Sequence, residues 1–110
     1  MYLQFSSEGD GGAIRISKDG TKLFSSSRKP GTVSMFNIDE ITKLPVLVSI
    51  VSADGDHTRD INIDGDDKIL IAANRFSNNL VSFFIDRENN VLRNTGYKYS
   101  IPEPTTIIFK

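Results

Sequence analysis

An internal repeat of 47 residues restricts what this chain can fold into more than any other feature. Residues 13–28 (AIRISKDGTKLFSSSR) lie in register with residues 60–75 (DINIDGDDKILIAANR). The offset pairs Ile14 with Ile61, Ile16 with Ile63, Asp19 with Asp66, Leu23 with Leu70 and Arg28 with Arg75. It continues through Phe36 and Phe83, Ile38 and Ile85, and Asp39 and Asp86. The second copy then gains one residue, so Leu44 answers to Leu92, and the register returns with Thr58 and Thr105. A repeat of this kind implies one supersecondary unit used twice, each copy needing a neighbour to cover its apolar faces.

Each copy reads as four short strands. The first copy places them at residues 13–17, 22–27, 32–38 and 46–51, the second at 59–63, 69–74, 80–85 and 94–100. Alternating apolar positions and β-branched or aromatic residues carry these assignments. Turn-forming residues separate the first two strands of each copy, Lys18-Asp19-Gly20 and Gly65-Asp66-Asp67. Helical periodicity is missing, and residues 38–44 are too few to nucleate a helix alone. The expected fold class is therefore all-β: two four-stranded antiparallel meanders, each the size of a β-propeller blade, with partial strands at both ends. The expected divisions are an outer-strand remnant at 1–12, blades at 13–58 and 59–104, and the inner strand of a further blade at 105–110. A closed ring needs at least four blades, so the chain reads as a fragment of a propeller.

Composition narrows the function classes. Of the 110 residues, 38% are hydrophobic and 25% charged, which suits a folded soluble domain and not a disordered one. The net charge is −1 and no stripe of Lys and Arg forms, which argues against nucleic-acid and anionic-membrane partners. Without cysteine there can be no disulfide and no thiolate metal site. No apolar run approaches membrane-spanning length, and residues 1–10 do not read as a secretory signal. The expected location is cytoplasmic.

Several local motifs together resemble one family. They are Ala13-Ile14-Arg15-Ile16 leading into Ser17-Lys18-Asp19-Gly20, then Leu23-Phe24 and Ser27-Arg28, and residues 33–36. Thr58-Arg59-Asp60, residues 69–74 (ILIAAN) and Ile101-Pro102-Glu103-Pro104 complete the set. The chain resembles the C-terminal blades of the 6-phosphogluconolactonase family of seven-bladed propellers. The resemblance covers nearly the whole chain and about two-sevenths of such a propeller. It implies hydrolysis of a sugar-phosphate lactone in carbohydrate metabolism, at the mouth of the central channel. By resemblance, Arg28 and Arg59 match channel-facing substrate-binding positions, with Asn74 a further candidate. The family's acid–base residues lie mostly on earlier blades, so the chain alone is expected to be inactive. Two departures stand out. Thr58-Arg59 replaces the usual Pro-Arg, and Asn74-Arg75 replaces a frequent Asn-Gln, putting a cation where an amide is expected.

The residue chemistry fits that implication. Lactone hydrolysis needs a stabiliser for the developing oxyanion, a base for water and a grip on phosphate. Arginine serves the first and third, because its fork of N–H donors stays charged and matches oxyanions. Arg59 is accordingly a candidate catalytic and substrate-binding clamp; the alternative is a structural pairing with Asp60 or Asp56. Arg75 reads as structural. His57, the sole histidine, lies two residues before Arg59 and is a candidate general base, against a plain loop histidine. No G-x-S-x-G elbow supports a serine triad. The acidic runs 54–56 and 64–67 lack the ligand spacing of a calcium loop and read as turns, so no metal and no cofactor is expected. Two readings result. One is a part of a lactonase-type hydrolase, whose partner in the complete propeller is a sugar-phosphate lactone. The other is a non-catalytic propeller remnant that self-associates or pairs with the missing blades.

Overall fold

The computed structural model describes residues 11–100. Eight strands follow one another: β1 (Gly11–Ile16), β2 (Lys22–Ser27), β3 (Thr32–Ile38), β4 (Pro45–Ser52), β5 (Thr58–Ile63), β6 (Ile69–Asn74), β7 (Asn79–Asp86) and β8 (Val91–Ser100). They form two four-stranded sheets ordered β1-β2-β3-β4 and β5-β6-β7-β8, antiparallel throughout. The two meanders read from the repeat are thus present. Strand β8 starts at Val91, three residues before its expected start, because it pairs with β7 right up to their shared turn. Strand β1 begins at Gly11, inside the expected 1–12 remnant, and β5 begins at Thr58, one residue before the expected blade division. The rest of that remnant and the inner strand expected at 105–110 lie outside the described residues.

The sheets are held face to face by side chains that alternate along each strand. Ile61, Ala72 and Val81 share one face of the second sheet by register, and so do Leu70 and Phe83. These five, with Leu92, pack in one buried cluster with Phe24, Val33, Met35 and Ala53 from the first half of the chain. The repeat does not equalise burial. Ile61 is fully buried, whereas its counterpart Ile14 is 46% exposed and Ile16 is 56% exposed. Ile14, Ile16, Leu23, Phe36 and Leu47 share the other face of the first sheet, which no described residue of the second sheet covers. The far face of the second sheet likewise exposes Phe84, Tyr97 and Tyr99.

Polar contacts fasten the same junction from its edges. Arg15 in β1 pairs with Asp60 in β5 at 2.9 Å. Arg87 after β7 reaches Asp19 at 2.7 Å and Asp67 at 3.4 Å. The Lys18 amide donates to the Asp67 carboxylate, and Lys22 Nζ donates to Asn37 and to Asn90 across the junction. The Arg87 guanidinium, followed by Ser17 and Thr21 donors, holds the Asp19 carboxyl well below the usual carboxylate range. Asp86 is lowered to about 2, chiefly by the Asn89 side chain and amide, with Arg93 adding. Lys22 is lowered mainly by burial.

A depressed carboxylate contributes stability that is present above its unfolded value and lost as pH falls through its folded one. With unfolded aspartate near ~3.9, the melting temperature is expected to hold from pH 7 to about 5 and to fall below about 4. Circular-dichroism melts across pH check this. The decline should be shallower in Asp19→Asn, and an equally steep decline there would exclude Asp19 as a contributor.

Candidate substrate-binding end of the sheets

An antiparallel meander collects alternate strand ends at one end of the sheet. Here that end gathers the starts of β1, β3, β5 and β7 and the ends of β2, β4, β6 and β8. Every site residue read from the sequence falls there. Arg28 follows β2, Asn74 closes β6, Arg75 follows it, His57 precedes β5, and Arg59 is the second residue of β5.

The segment linking the two sheets, residues 53–57, is fastened to both neighbouring turns. The Ala53 amide donates to the Gly31 carbonyl at 2.9 Å, while the Arg75 amide donates to the His57 carbonyl at 3.0 Å and the Phe76 amide to that of Asp56 at 3.2 Å. Asp54 and His57 adopt left-handed φ of 57° and 60°, which turns the chain sharply between sheets. Close approach makes two glycines necessary. A Cβ on Gly31 would collide with the Gly55 carbonyl oxygen, and a Cβ on Gly55 would sit 2.6 Å from Asn74 Cγ and 2.7 Å from its Cβ.

Asn74 lies beneath this stack, fully buried. Its Nδ2 donates to the Ala53 carbonyl and to Asn79 Oδ1, both at 2.9 Å, and its Oδ1 accepts from Thr58 Oγ1 at 2.6 Å. With both amide protons and the oxygen engaged inside the chain, Asn74 positions the linking segment and does not face outward to a ligand.

The arginines differ from it. Ladder register slips between Thr58 and Asp60, so Arg59 sits on a bulge with no Cα partner on β6. Bulges re-aim side chains in this way beside functional sites. Neither expected structural pairing of Arg59 forms: Asp60 is held by Arg15, and no carboxylate lies within ion-pair distance of Arg59 among the described residues. Arg28 and Arg75 are half-buried, and the Nε of each is shielded from solvent without a hydrogen-bond partner among the described residues. His57 is half-buried and stacks on Phe76, ring centroids 4.2 Å apart at 28°. The Arg75 guanidinium lies 5.8 Å from the same ring. No hydrogen bond joins His57 to Arg59 among the described residues. Phe76 escaped the sequence reading, although a bulky aromatic inside a turn directly after an arginine is a usable signal.

The charges at this end favour anions. Among the described residues, the loops and strand ends here carry Arg28, Lys29, Arg59, Arg75 and Lys98 against Asp54 and Asp56, and Asp54 is taken up by Lys98 at 2.8 Å. The remaining acidic run, 64–67, behaves as a turn: Asp64 Oδ1 accepts from the Lys68 and Ile69 amides. Among the described residues no three His, Cys, Asp or Glu side chains converge as a metal site.

Two packed four-stranded meanders, joined by a short segment that returns from outer strand to inner strand, are adjacent blades of a β-propeller. The family model described as Lactonase, 7-bladed beta-propeller matches residues 2–109, and the chain belongs to that family. It is 28% identical over 105 residues to the 6-phosphogluconolactonase of Bacillus subtilis, covering 96% of this chain and 30% of that one. It is 35% identical over 82 residues to the 6-phosphogluconolactonase of Formosa agariphila, covering 73% and 23%. A crystal structure of a candidate 6-phosphogluconolactonase from Bacteroides fragilis superposes with a TM-score of 0.79 at 28% identity, over 86% of this chain and 26% of that one. The chain thus spans less than a third of the length of each of these proteins.

Gly55→Ala tests the stacked linking segment. The new methyl group would displace Asn74 and break its hydrogen bonds, at an expected cost of about 2 kcal/mol or more. A fall in melting temperature of roughly 10 °C would follow for a domain of this size. A melting temperature within a degree or two of the parent's would show that the segment yields freely.

Proposed function

We propose that this chain forms part of the substrate-binding rim of a lactonase that opens a sugar-phosphate lactone by hydrolysis. The observation that carries the reading is Arg59, raised on a bulge and without an ionic partner among the described residues, in an end of the molecule rich in arginine. Water adds to the lactone carbonyl, the ring C–O bond breaks, and the product is a hydroxy acid with one proton released. Charge gathers on the carbonyl oxygen during addition, and a guanidinium fixed there beforehand stabilises it without reorganising. His57, held by Phe76, is the group in this chain suited to take the proton from water. The relatives named as 6-phosphogluconolactonases support the choice of substrate class.

A second reading concerns the two sheet faces turned away from the junction. Exposed Ile14, Ile16 and Leu47 occupy positions whose counterparts in the second sheet face the first, so this face suits a further blade. Head-to-tail docking of two copies would reproduce the packing but not the ionic fastening. Glu40 is the counterpart of Arg87, and Asp66 that of Asp19, so two acids would meet where an ion pair now stands.

Two tests follow. A chimera is made in which this chain replaces the corresponding blades of the Bacillus subtilis relative. In it, Arg59→Ala is expected to lower kcat/KM for 6-phosphogluconolactone more than tenfold, an order-of-magnitude loss usual for an oxyanion stabiliser. An unchanged value removes Arg59 from the site. The 110-residue chain alone is expected not to exceed the spontaneous rate. For the faces, sedimentation velocity over a concentration series should show weak self-association that Glu40→Arg strengthens; no change would exclude the proposed docking.

A further inference from the structure

We propose that β4 is a docking edge for a second copy of this chain. The β4 strands of two copies pair antiparallel about a two-fold axis and join their first sheets into one. This contact does not depend on the lactonase reading, and it differs from docking through the sheet faces.

β4 (Pro45–Ser52) closes one side of its sheet, and among the described residues no strand pairs with its outer edge. Residues 44–53 (LPVLVSIVSA) carry no charge. Leu44, Val46, Leu47 and Ile50 are exposed, as is Ile41 in the turn before them. Valine and isoleucine suit an extended strand. The Asp39 amide donates to the Leu44 carbonyl at 3.0 Å and the Ala53 amide to the Gly31 carbonyl at 2.9 Å. Residues of an antiparallel strand turn their backbone groups alternately toward one neighbour and away from it. Counted from those two bonds, with the register slip between Met35 and Phe36, the backbone N–H and C=O groups of Leu47, Ile50 and Ser52 point outward. Unpaired groups on an uncharged apolar strand recruit another strand.

The second blade guards the same edge. β8 holds the outer place in its sheet but carries Arg93 and Lys98. Ser34 and Val81 are repeat counterparts and pair with Ile50 and Lys98, so Lys98 answers to Ile50. Asn37 and Phe84 likewise pair with Val46 and Arg93, so Arg93 answers to Val46. Both cations are ion-paired, Lys98 with Asp54 at 2.8 Å and Arg93 with Asp86 at 3.1 Å. A strand added at β8 would strip water from these pairs, and β8 meeting itself would bring cations together. β4 meeting itself sets only apolar and hydroxyl side chains opposite one another, so a second β4 is the occupant that fits. A two-fold pairing uses both β4 edges, and association closes at two. A contact one strand wide belongs to the small end of interface size, which makes the dimer weak and dependent on concentration.

The test is amide hydrogen exchange of the full chain at two widely separated concentrations, with sedimentation velocity alongside. At the higher concentration, exchange at Leu47, Ile50 and Ser52 is expected to slow at least tenfold while β8 is unaffected, and the largest species should be a dimer. Ile50→Lys gives β4 the residue that β8 has at this place. Val46→Glu puts an acid where one β4 meets the end of the other, which Asp54 and Asp56 follow. Each should raise the dimer dissociation constant at least tenfold and leave the melting temperature close to the parent's, since both side chains are exposed. Val46 shares its face with Asn37 and Lys22, the side turned to the second sheet, so Val46→Glu leaves the face of Ile14 and Leu47 intact. Concentration-independent exchange at the three β4 amides would overturn the proposal without recourse to either variant. So would a dimer that both variants leave unchanged, or protection confined to Ile14 and Ile16, which would assign self-association to the sheet face.

Discussion

The burial of one face of the β5–β8 sheet against the β1–β4 sheet is the interaction on which the remaining structure depends. Phe24, Val33 and Met35 from one side and Ile61, Leu70, Val81 and Phe83 from the other exclude water almost completely. Each such side chain contributes roughly 1.5–3 kcal/mol when fully buried, so the pairing of sheets, not either sheet alone, is where the stability lies. Because the connection between them is only residues 53–57, the apolar contact also fixes where the loops at one end must stand relative to each other. The core is therefore the reason that the arginines of two different sheets share one neighbourhood.

Around that core the polar residues divide into two kinds. Those at the turn end, Asp19, Asp67 and Arg87 with Lys22 and Asn90, bond to one another across the junction and are used up in fastening it. Among the described residues, those at the opposite end leave cations in excess, since Asp60 and Asp54 are already engaged by Arg15 and Lys98. A field of one sign raises the local concentration of anionic ligands. The same division bears on Arg59, which has no ion pair among the described residues although Asp60 is its sequence neighbour: Asp60 pairs with Arg15, and Arg59 sits on the β-bulge.

The repeat also hides a difference between the two blades. Its apolar positions are nearly interchangeable, as Leu23 and Leu70 or Phe36 and Phe83 show, and any blade could dock on any other by these alone. The ionic positions are not interchangeable. Arg87 replaces Glu40, and Asp67 replaces Gly20, so the contacts that lock this junction belong to it alone. Unlike charges placed at one junction and like charges at its mimic supply order among similar modules.

By itself the sequence determined the strands, their order and the family. Period-two alternation and a fixed 47-residue register are local properties that survive without knowledge of contacts. Arg28, Arg59 and His57 could be singled out for the same reason, since residue type and strand position both lie in the chain. Tertiary structure decided what each residue faces. Ile14 and Ile61 are identical in sequence and opposite in burial because a sheet covers only one of them. Asn74, which by resemblance stood among the ligand contacts, has its amide committed to Ala53, Thr58 and Asn79. Arg75, which read as structural, has a buried Nε without a hydrogen-bond partner among the described residues. Partners distant in sequence set all three outcomes, and no local pattern encodes a partner that arrives only when the second sheet packs on the first.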